Sequence, residues 1–270
     1  MIKIDSFLNP DWYVMRIATT DVVTCKKTLK IGDVIDLLLN SAKRIPVLDS
    51  KKRLIGIISI TDVLNFFGGG RKHKIFPMGG LNQTVSKIME KNVITLSGKT
   101  KIYKAIEYAK HQEKSVYPVV DGNTLSGIVS EFDFIKHINT ETGITVGDVM
   151  TKKPLIIKPH YTLCDVAKIL CRGAYRRLPV VENGVLVGMC TPKDILFYLK
   201  TSKAYGRLKY DKTEVRDIMN KNVTKIMPED DIYSAISLMK PGIGGVPVVN
   251  EDDELLGIIT KRDIMEVLAW

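Results

Sequence analysis

The chain has 270 residues, of which 45% are hydrophobic and 26% charged, and its formal net charge is +10. These values are typical of a globular protein, and the absence of any apolar run long enough to cross a bilayer argues against a membrane-spanning helix. The positive charge favours an anionic partner, which could be a nucleotide, a nucleic acid, a membrane surface or an acidic protein. The first residues lack the apolar centre of a signal peptide, so we expect a cytoplasmic protein with no membrane partner.

Cysteine and histidine are too few and too scattered to indicate a metal site. No pair of cysteines has the C-x-x-C spacing, and the chain has only four histidines. We therefore expect no metal and interpret the thiols as buried core residues. The cysteines are Cys25, Cys164, Cys171 and Cys190.

One phrase recurs four times along the chain: a glycine, two apolar residues, a hydroxyl residue, two variable residues and an aspartate. The four occurrences are 56–62, 127–133, 188–194 and 257–263. Nine or ten residues before each glycine, a proline begins a short apolar run; these are Pro46, Pro118, Pro179 and Pro247. In copies 2 to 4 a methionine lies 44 residues before the final aspartate, at Met89, Met150 and Met219, whereas Met15 of copy 1 lies 47 residues before it. Residues that recur at such constant spacing indicate an internal repeat.

Each copy has the pattern β-α-β-β-α. The first strand is predicted in β-branched stretches such as 92–95 and 222–226, and the first helix of copy 4 has apolar residues at Ile232, Ala235, Ile236 and Met239, which share one face. Two short strands joined by a turn and a second helix complete the copy. The copies are predicted at 14–67, 84–138, 145–200 and 214–268. One such module buries too little surface alone, so we expect copies 1 and 2, and copies 3 and 4, to form two paired halves.

The phrase, the proline strand and the opening methionine resemble the CBS (cystathionine β-synthase) domain family. Four tandem copies without another domain are similar to the γ subunit of AMP-activated protein kinase and to stand-alone archaeal four-CBS proteins. The resemblance implies an α/β fold of α+β repeats, in which four β-α-β-β-α modules pack as two pairs in a flat disc. It also implies clefts in which adenosine nucleotides bind, with their phosphates directed towards a shared centre.

The resemblance further implies which residues contact the ligand. The aspartate of each phrase binds the ribose hydroxyls: Asp62, Asp133, Asp194 and Asp263. The hydroxyl residue contacts phosphate: Ser59, Ser130, Thr191 and Thr260. A basic pair before the proline strand adds to the phosphate site in copies 1 and 3 only, and consists of Lys43 and Arg44, and of Arg176 and Arg177.

Elementary chemistry supports such a site. A hydroxyl residue and an aspartate just before a helix lie where free N–H groups and the helix dipole attract an anion. An arginine adds a charge-assisted contact to phosphate, and a carboxylate accepts from two ribose hydroxyls. Apolar strand residues could then wall an adenine ring: Ile45, Tyr117, Leu178 and Val246.

The same phrase could instead be a helix capping box that needs no ligand. A capping box prefers Glu or Gln at its fourth position, because the longer side chain reaches back to the start of the helix. All four copies have Asp there, which favours the ligand interpretation, although one residue can serve both purposes.

The function predicted from the sequence is a regulatory sensor of AMP, ADP or ATP that has no catalytic activity and requires no cofactor. No nucleophile elbow, metal cluster or dinucleotide fingerprint is present. An S-adenosylmethionine-binding regulator is one alternative, although its cationic sulfur is disfavoured beside the arginines. A nucleic-acid-associated scaffold is another, but the basic residues are spread over the repeats without a known binding motif, so nucleic acid is not favoured. The regulated protein partner is unknown, and a homodimer remains open.

Overall fold

The computed structural model divides into two compact units that each combine separate stretches of chain. Unit 1 comprises Met1–Val22, Ile94–Pro154 and Thr224–Trp270, and unit 2 comprises Val23–Val93 and Leu155–Val223. Unit 2 therefore holds the bodies of copies 1 and 3, and unit 1 those of copies 2 and 4. The structure describes residues 1–42, 44–69, 78–112, 114–173, 175–205, 208, 210–239 and 243–269, without the side chains of 68, 69, 78 and 79.

Copies 1 and 2 have the predicted order of elements. A short strand β1 (Ile2–Lys3) precedes copy 1, which consists of β2 (Cys25–Lys26), α1 (Ile31–Asn40), β3 (Arg44–Leu48), β4 (Leu54–Ser59) and α2 (Ile60–Leu64). Copy 2 consists of β5 (Leu96–Ser97), α3 (Ile102–Lys110), β6 (Val116–Asp121), β7 (Thr124–Ser130) and α4 (Glu131–Ile135). In both copies the first strand runs parallel to the second, and the last two strands form an antiparallel hairpin.

Copies 3 and 4 repeat this order, except that the first strand is reduced to a single parallel bridge. Copy 3 opens with α5 (Val146–Val149) and β8 (Thr151–Lys152), followed by α6 (Leu163–Arg172), β9 (Leu178–Glu182), β10 (Val185–Cys190) and α7 (Pro192–Thr201). Copy 4 consists of α8 (Ile232–Leu238), β11 (Gly245–Val249), β12 (Leu255–Thr260) and α9 (Lys261–Glu266), and is followed by β13 (Leu268–Ala269), which pairs with β1. The predicted repeat of mixed α/β modules is confirmed.

Amphipathic helices build one hydrophobic core in each unit. The predicted face of α8 is confirmed, since Ile232, Ala235, Ile236 and Met239 are all buried. That face joins residues of copy 2 in the core of unit 1, while the helices of copies 1 and 3 share the core of unit 2. None of the described helices is long and apolar enough to cross a membrane.

The segment that opens each copy pairs with the hairpin of the adjacent copy in the sequence. Thr19 bridges to Ile128, Ile57 bridges to Glu90, β8 pairs with β12, and Met189 bridges to Asn220. Copies 1 and 2 thus exchange their opening segments, and so do copies 3 and 4. The predicted grouping of copies 1 and 2, and of copies 3 and 4, as two halves stays a prediction.

The exchange explains why glycine and methionine recur at fixed positions. A Cβ on Gly188 would lie 2.5 Å from Sδ of Met219 and 3.2 Å from the carbonyl oxygen of Asn220, both on the exchanged segment. Gly257 is equally crowded, at 2.6 Å from Sδ of Met150 and 2.9 Å from the carbonyl oxygen of Thr151. The glycine of one copy and the methionine of the adjacent copy are therefore the two partners of one close contact, and a side chain on the glycine would force them apart.

Charge and two rare residue types are divided unevenly between the units. Unit 2 contains 26 Lys and Arg against 11 Asp and Glu, a net +15, whereas unit 1 contains 14 against 19, a net −5. All four cysteines belong to unit 2, and both tryptophans, Trp12 and Trp270, belong to unit 1. The basic residues are spread over all four copies, as the sequence indicates, and the charge is divided because copies that are not adjacent in the sequence are grouped in one unit.

Candidate functional site

In every copy, the hydroxyl residue and the aspartate of the phrase meet at the start of the second helix. The hydroxyl residue is the N-cap of α2, α4, α7 and α9. Oδ2 of the aspartate accepts the N-cap backbone N–H at 2.7–2.8 Å and the hydroxyl at 2.6–2.7 Å. Each phrase is thus a capping box, and the Asp carboxylate reaches back to the N-cap N–H in all four copies, so Asp at the fourth position does not argue against capping here.

The second carboxylate oxygen, Oδ1, differs from copy to copy. In copy 2, Oδ1 of Asp133 accepts from Nζ of Lys136 at 2.7 Å. In copy 4, Oδ1 of Asp263 accepts from Oγ1 of Thr151 at 3.0 Å. Within the described part of the chain, Oδ1 of Asp62 in copy 1 receives no hydrogen bond. The cap therefore uses one oxygen of Asp62 and leaves the other for a further donor.

The surroundings of Asp62 disfavour its negative charge. Burial raises the pKa of Asp62, while the hydrogen bonds from Ser59 and the charge of Arg44 lower it, and the balance is upward. Glu90, carried by the exchanged segment of copy 2, raises this pKa further. A poorly solvated carboxylate is stabilised by hydrogen bonds to its ionised form, so Asp62 is a favourable acceptor for hydroxyl groups.

The strand register brings the basic residues to the same end of the hairpin. Arg44 lies directly opposite Ser59. In copy 3, Leu178 pairs with Cys190, so the preceding Arg177 lies at the end where Thr191 begins the helix. Arg176 adjoins it and, like Arg44 and Arg177, is half-buried. Lys43, predicted to contact phosphate, lies outside the described residues.

Copies 2 and 4 have neutral residues in these positions. Val116 lies opposite Ser130, and Gly245 lies opposite Thr260. As a result, both copies with an arginine at this end of the hairpin belong to unit 2, and both with a neutral residue there belong to unit 1.

The residues predicted to wall an adenine ring are core residues. Ile45, Tyr117, Leu178 and Val246 have no exposed surface. Tyr117 also directs its hydroxyl inward, donating to the carbonyl oxygen of Lys114 at 2.6 Å. The strand directs this position into the core, so the structure provides no adenine wall from these side chains in the state described.

Sequence reasoning missed a cluster of ionic contacts between copies 2 and 4. Arg262 and Glu131 occupy variable positions of the phrase, and Nη2 of Arg262 lies 2.7 Å from Oε1 of the buried Glu131. The same guanidinium donates to the carbonyl oxygens of Ala109, Lys110, Gln112 and Lys114. Nζ of Lys261 also lies 4.3 Å from the centre of the Phe132 ring. Opposite charges at the variable positions of two copies were the signal that could have revealed this contact.

Unit 2 has a different pair of residues in the equivalent positions. Ile60 replaces Glu131 and is buried, and Lys193 replaces Arg262 and is exposed. The start of α2 and the start of α7 thus lack the ion pair that joins α4 to α9.

Solved structures of two CBS pairs resemble parts of the chain. The CBS domain pair of protein MJ0100, in complex with 5′-methylthioadenosine and S-adenosyl-L-methionine, has 30% identity and a TM-score of 0.39 and covers 47% of this chain and 96% of its own. CBSX2 of Arabidopsis thaliana, in complex with AMP, has 26% identity and a TM-score of 0.40 and covers 46% of this chain and 95% of its own. At these scores neither likeness identifies a ligand for this chain.

A whole-length relative is protein MJ1225 of Methanocaldococcus jannaschii. Its sequence is 31% identical over 278 aligned positions, covering 95% of this chain and 99% of the relative. Its crystal structure, described as that of a proposed archaeal homologue of γ-AMPK, has a TM-score of 0.87 and 30% identity and covers 94% of this chain and 99% of its own. The CBS domain model matches four segments: 14–69, 85–140, 146–201 and 215–269. The chain therefore belongs to the CBS domain family and consists of four tandem CBS domains.

Proposed function

We propose that the chain is a regulatory protein without catalytic activity that binds the adenine nucleotides AMP, ADP or ATP. The observation that carries the proposal is the arrangement in copy 1. There, Arg44 faces Ser59 across the hairpin, and Asp62 keeps one oxygen outside the cap. A nucleotide requires a cation for its phosphate and a carboxylate for its ribose hydroxyls, and copy 1 places both at the start of α2.

Unit 2 is the better host for an anionic ligand. Its net charge of +15 attracts phosphate, and its two copies carry arginine beside the cap. In unit 1, Oδ1 of Asp133 and of Asp263 already accepts a hydrogen bond, and the facing residues are neutral. We infer two nucleotides per chain, in copies 1 and 3, from the arginines beside their caps. The same charge disfavours S-adenosylmethionine, whose sulfur is cationic.

Two thiols of unit 2, Cys25 and Cys171, are poorly suited to nucleophilic catalysis. Burial raises the pKa of Cys25 to about 11 and that of Cys171 to about 12, and the charge of Asp62 adds to the second shift. At neutral pH these thiols are protonated and poorly nucleophilic.

Regulation then requires that the ligand favour one of two states. A phosphate bound beside Arg44 and Asp62 would lie in the field of Glu90, which belongs to the segment exchanged from copy 2. A bound anion therefore changes the electrostatic energy of that segment, and through it the surface offered to the regulated protein. The γ-AMPK likeness of MJ1225 is consistent with such a role.

Isothermal titration calorimetry with AMP, ADP, ATP and S-adenosylmethionine tests the proposal. Asparagine keeps an acceptor for the cap but lacks the charge, so Asp62→Asn and Asp194→Asn should each remove one nucleotide site. Asp133→Asn and Asp263→Asn are the matched controls and should leave the stoichiometry at two. If a control variant lost a site, or if only S-adenosylmethionine bound, the assignment would be wrong.

A further inference from the structure

A row of lysines lies along one edge of copy 1, away from the capping box. The segments 26–30 and 84–87 run side by side there: Ser86 N–H donates to the carbonyl oxygen of Lys27 at 3.1 Å, and Lys30 bridges to Thr84. Four lysine side chains on these segments are exposed, and no ion pair engages them within the described part of the chain. We name Lys26, Lys27, Lys30 and Lys87 the lysine edge.

The same edge exists in copy 4 with the opposite charge. There, Gly147 N–H donates to the carbonyl oxygen of Pro228 at 2.8 Å, and Thr145 bridges to Asp231. Asp231 thus takes the position of Lys30, and Asp148 that of Lys87. Because one backbone arrangement accepts either sign, the fold does not require lysines in copy 1.

Four like charges close together cost free energy unless an anion offsets them. Unit 2 supplies few counter-ions, since its net charge is +15. The corresponding edge of copy 3 presents two exposed rings, His160 and Tyr161, in an edge-to-face arrangement with centroids 5.5 Å apart. Exposed rings offer bases a stacking surface, which an acidic peptide would not need.

We propose that unit 2 binds a nucleic acid, with the lysine edge contacting its phosphate backbone. Lysine is a point charge without the bidentate geometry that reads a base, so the contact is independent of sequence and depends strongly on salt. This surface is separate from the capping box of copy 1, and the proposal does not depend on nucleotide binding.

Fluorescence anisotropy with labelled poly(U) RNA and with a labelled DNA duplex tests the proposal on the full chain. At low salt, Lys27→Glu/Lys30→Glu/Lys87→Glu should weaken RNA binding by roughly tenfold or more and reduce the salt slope by about one for each lysine. The matched control, Lys51→Glu/Lys52→Glu/Lys203→Glu, changes the net charge equally at exposed lysines elsewhere in unit 2. It should keep the wild-type affinity within about threefold.

Several outcomes would overturn the inference. Absence of binding to either probe at low salt would do so, and equal losses in both variants would reduce the effect to net charge. Displacement of RNA by saturating ATP would place the RNA at the capping boxes instead. Light scattering tests one further possibility, that the wild-type chain forms a dimer. If the lysine-edge variant and Asp148→Lys both dissociated such a dimer, the lysine edge would bind the acidic edge of a second copy and not a nucleic acid. Retained circular dichroism shows that each variant is folded.

Discussion

The two units use the same phrase in different ways. In unit 1, the second carboxylate oxygens of Asp133 and Asp263 accept internal hydrogen bonds, and Arg262 joins copy 4 to Glu131 of copy 2. In unit 2, Oδ1 of Asp62 receives no hydrogen bond from the residues that the structure describes, and Arg44 lies beside this carboxylate. The capping box is common to all copies, so the residues around it decide whether it serves only the fold or also a ligand.

Of the substitutions that test this comparison, removal of the Arg262 side chain should lower the free energy of unfolding most. Arg262→Ala removes the ion pair to the buried Glu131 carboxylate and the hydrogen bonds to four carbonyl oxygens, so we expect the free energy of unfolding to fall by about 3–5 kcal/mol. Urea unfolding followed by tryptophan fluorescence measures this, because both tryptophans belong to unit 1. Lys193→Ala, the exposed equivalent in unit 2, should change stability by less than about 0.5 kcal/mol. Similar losses of stability in the two variants would show that the ion pair of Arg262 does not distinguish unit 1 from unit 2.

Replacing the glycine of this close contact by alanine should destabilise both units to a similar extent. Gly257→Ala in unit 1 and Gly188→Ala in unit 2 each place a Cβ against an exchanged methionine, and each should cost about 1–3 kcal/mol. Gly32→Ala is the control, since a Cβ there makes only ordinary contacts, the nearest at 3.7 Å, and the residue lies in α1. It should be neutral or mildly stabilising. Thiol labelling reports on unit 2 and tryptophan fluorescence on unit 1; a loss in one unit only would contradict a shared mode of packing.

Asp231 of unit 1 should confer pH-dependent stability that its equivalent, Lys30, cannot. Burial alone would raise the pKa of Asp231, but hydrogen bonds from the backbone N–H groups of Tyr233, Thr142 and Gly143 and from the Thr142 hydroxyl lower it overall. A lowered pKa in the folded state contributes stability above the ordinary value of 3.8, and this contribution disappears as the pH falls through the folded-state pKa.

We therefore expect Asp231→Asn to lose about 1–3 kcal/mol at neutral pH, and the difference from wild type to shrink below a pH of about 4. Urea midpoints across a pH series measure it. A difference that stays constant down to the lowest pH would show that the charge of Asp231 is not responsible.

The smallest expected stability change concerns Asp62. Its pKa is raised, so its contribution to stability is present below the ordinary value of 3.8 and is lost as the pH rises through the folded-state pKa. At neutral pH the charge is unfavourable, and Asp62→Asn should keep the wild-type stability within about 1 kcal/mol or slightly exceed it. Asp133→Asn loses its ion pair to Lys136 and should be slightly destabilised, by up to about 1 kcal/mol. Thermal unfolding of both variants measures the difference. If only Asp62→Asn were clearly destabilised, Asp62 and not Asp133 would be the aspartate whose charge stabilises the fold.

Much of the fold could be predicted because local patterns carry it. The repeat, the order of elements and the buried face of α8 follow from residues a few positions apart. The grouping of copies 1 and 3 in one core could not be predicted, since four copies with similar apolar helix faces can pair in several ways. The division of charge between the units was hidden for the same reason, since each unit combines stretches that are distant in the sequence.

The candidate site was only partly predictable. The register that sets Arg44 opposite Ser59 follows from the hairpin, so their proximity could be expected. The inward position of Ile45 could not, because apolar residues lie on both faces of its strand and the pattern does not show which face meets the core. The contact of Arg262 with Glu131 depends on two copies that are distant in the sequence.

The two units alternate along the sequence, and this order affects how the chain folds during synthesis. A ribosome releases copy 1 long before copy 3, yet the helices of copy 1 complete their core only with those of copy 3. At about 5–20 residues per second, the apolar face of α1 waits on the order of ten seconds for α6 and α7. No contiguous fragment of the chain therefore corresponds to a finished unit, and this face lacks its partner helices until copy 3 has been made.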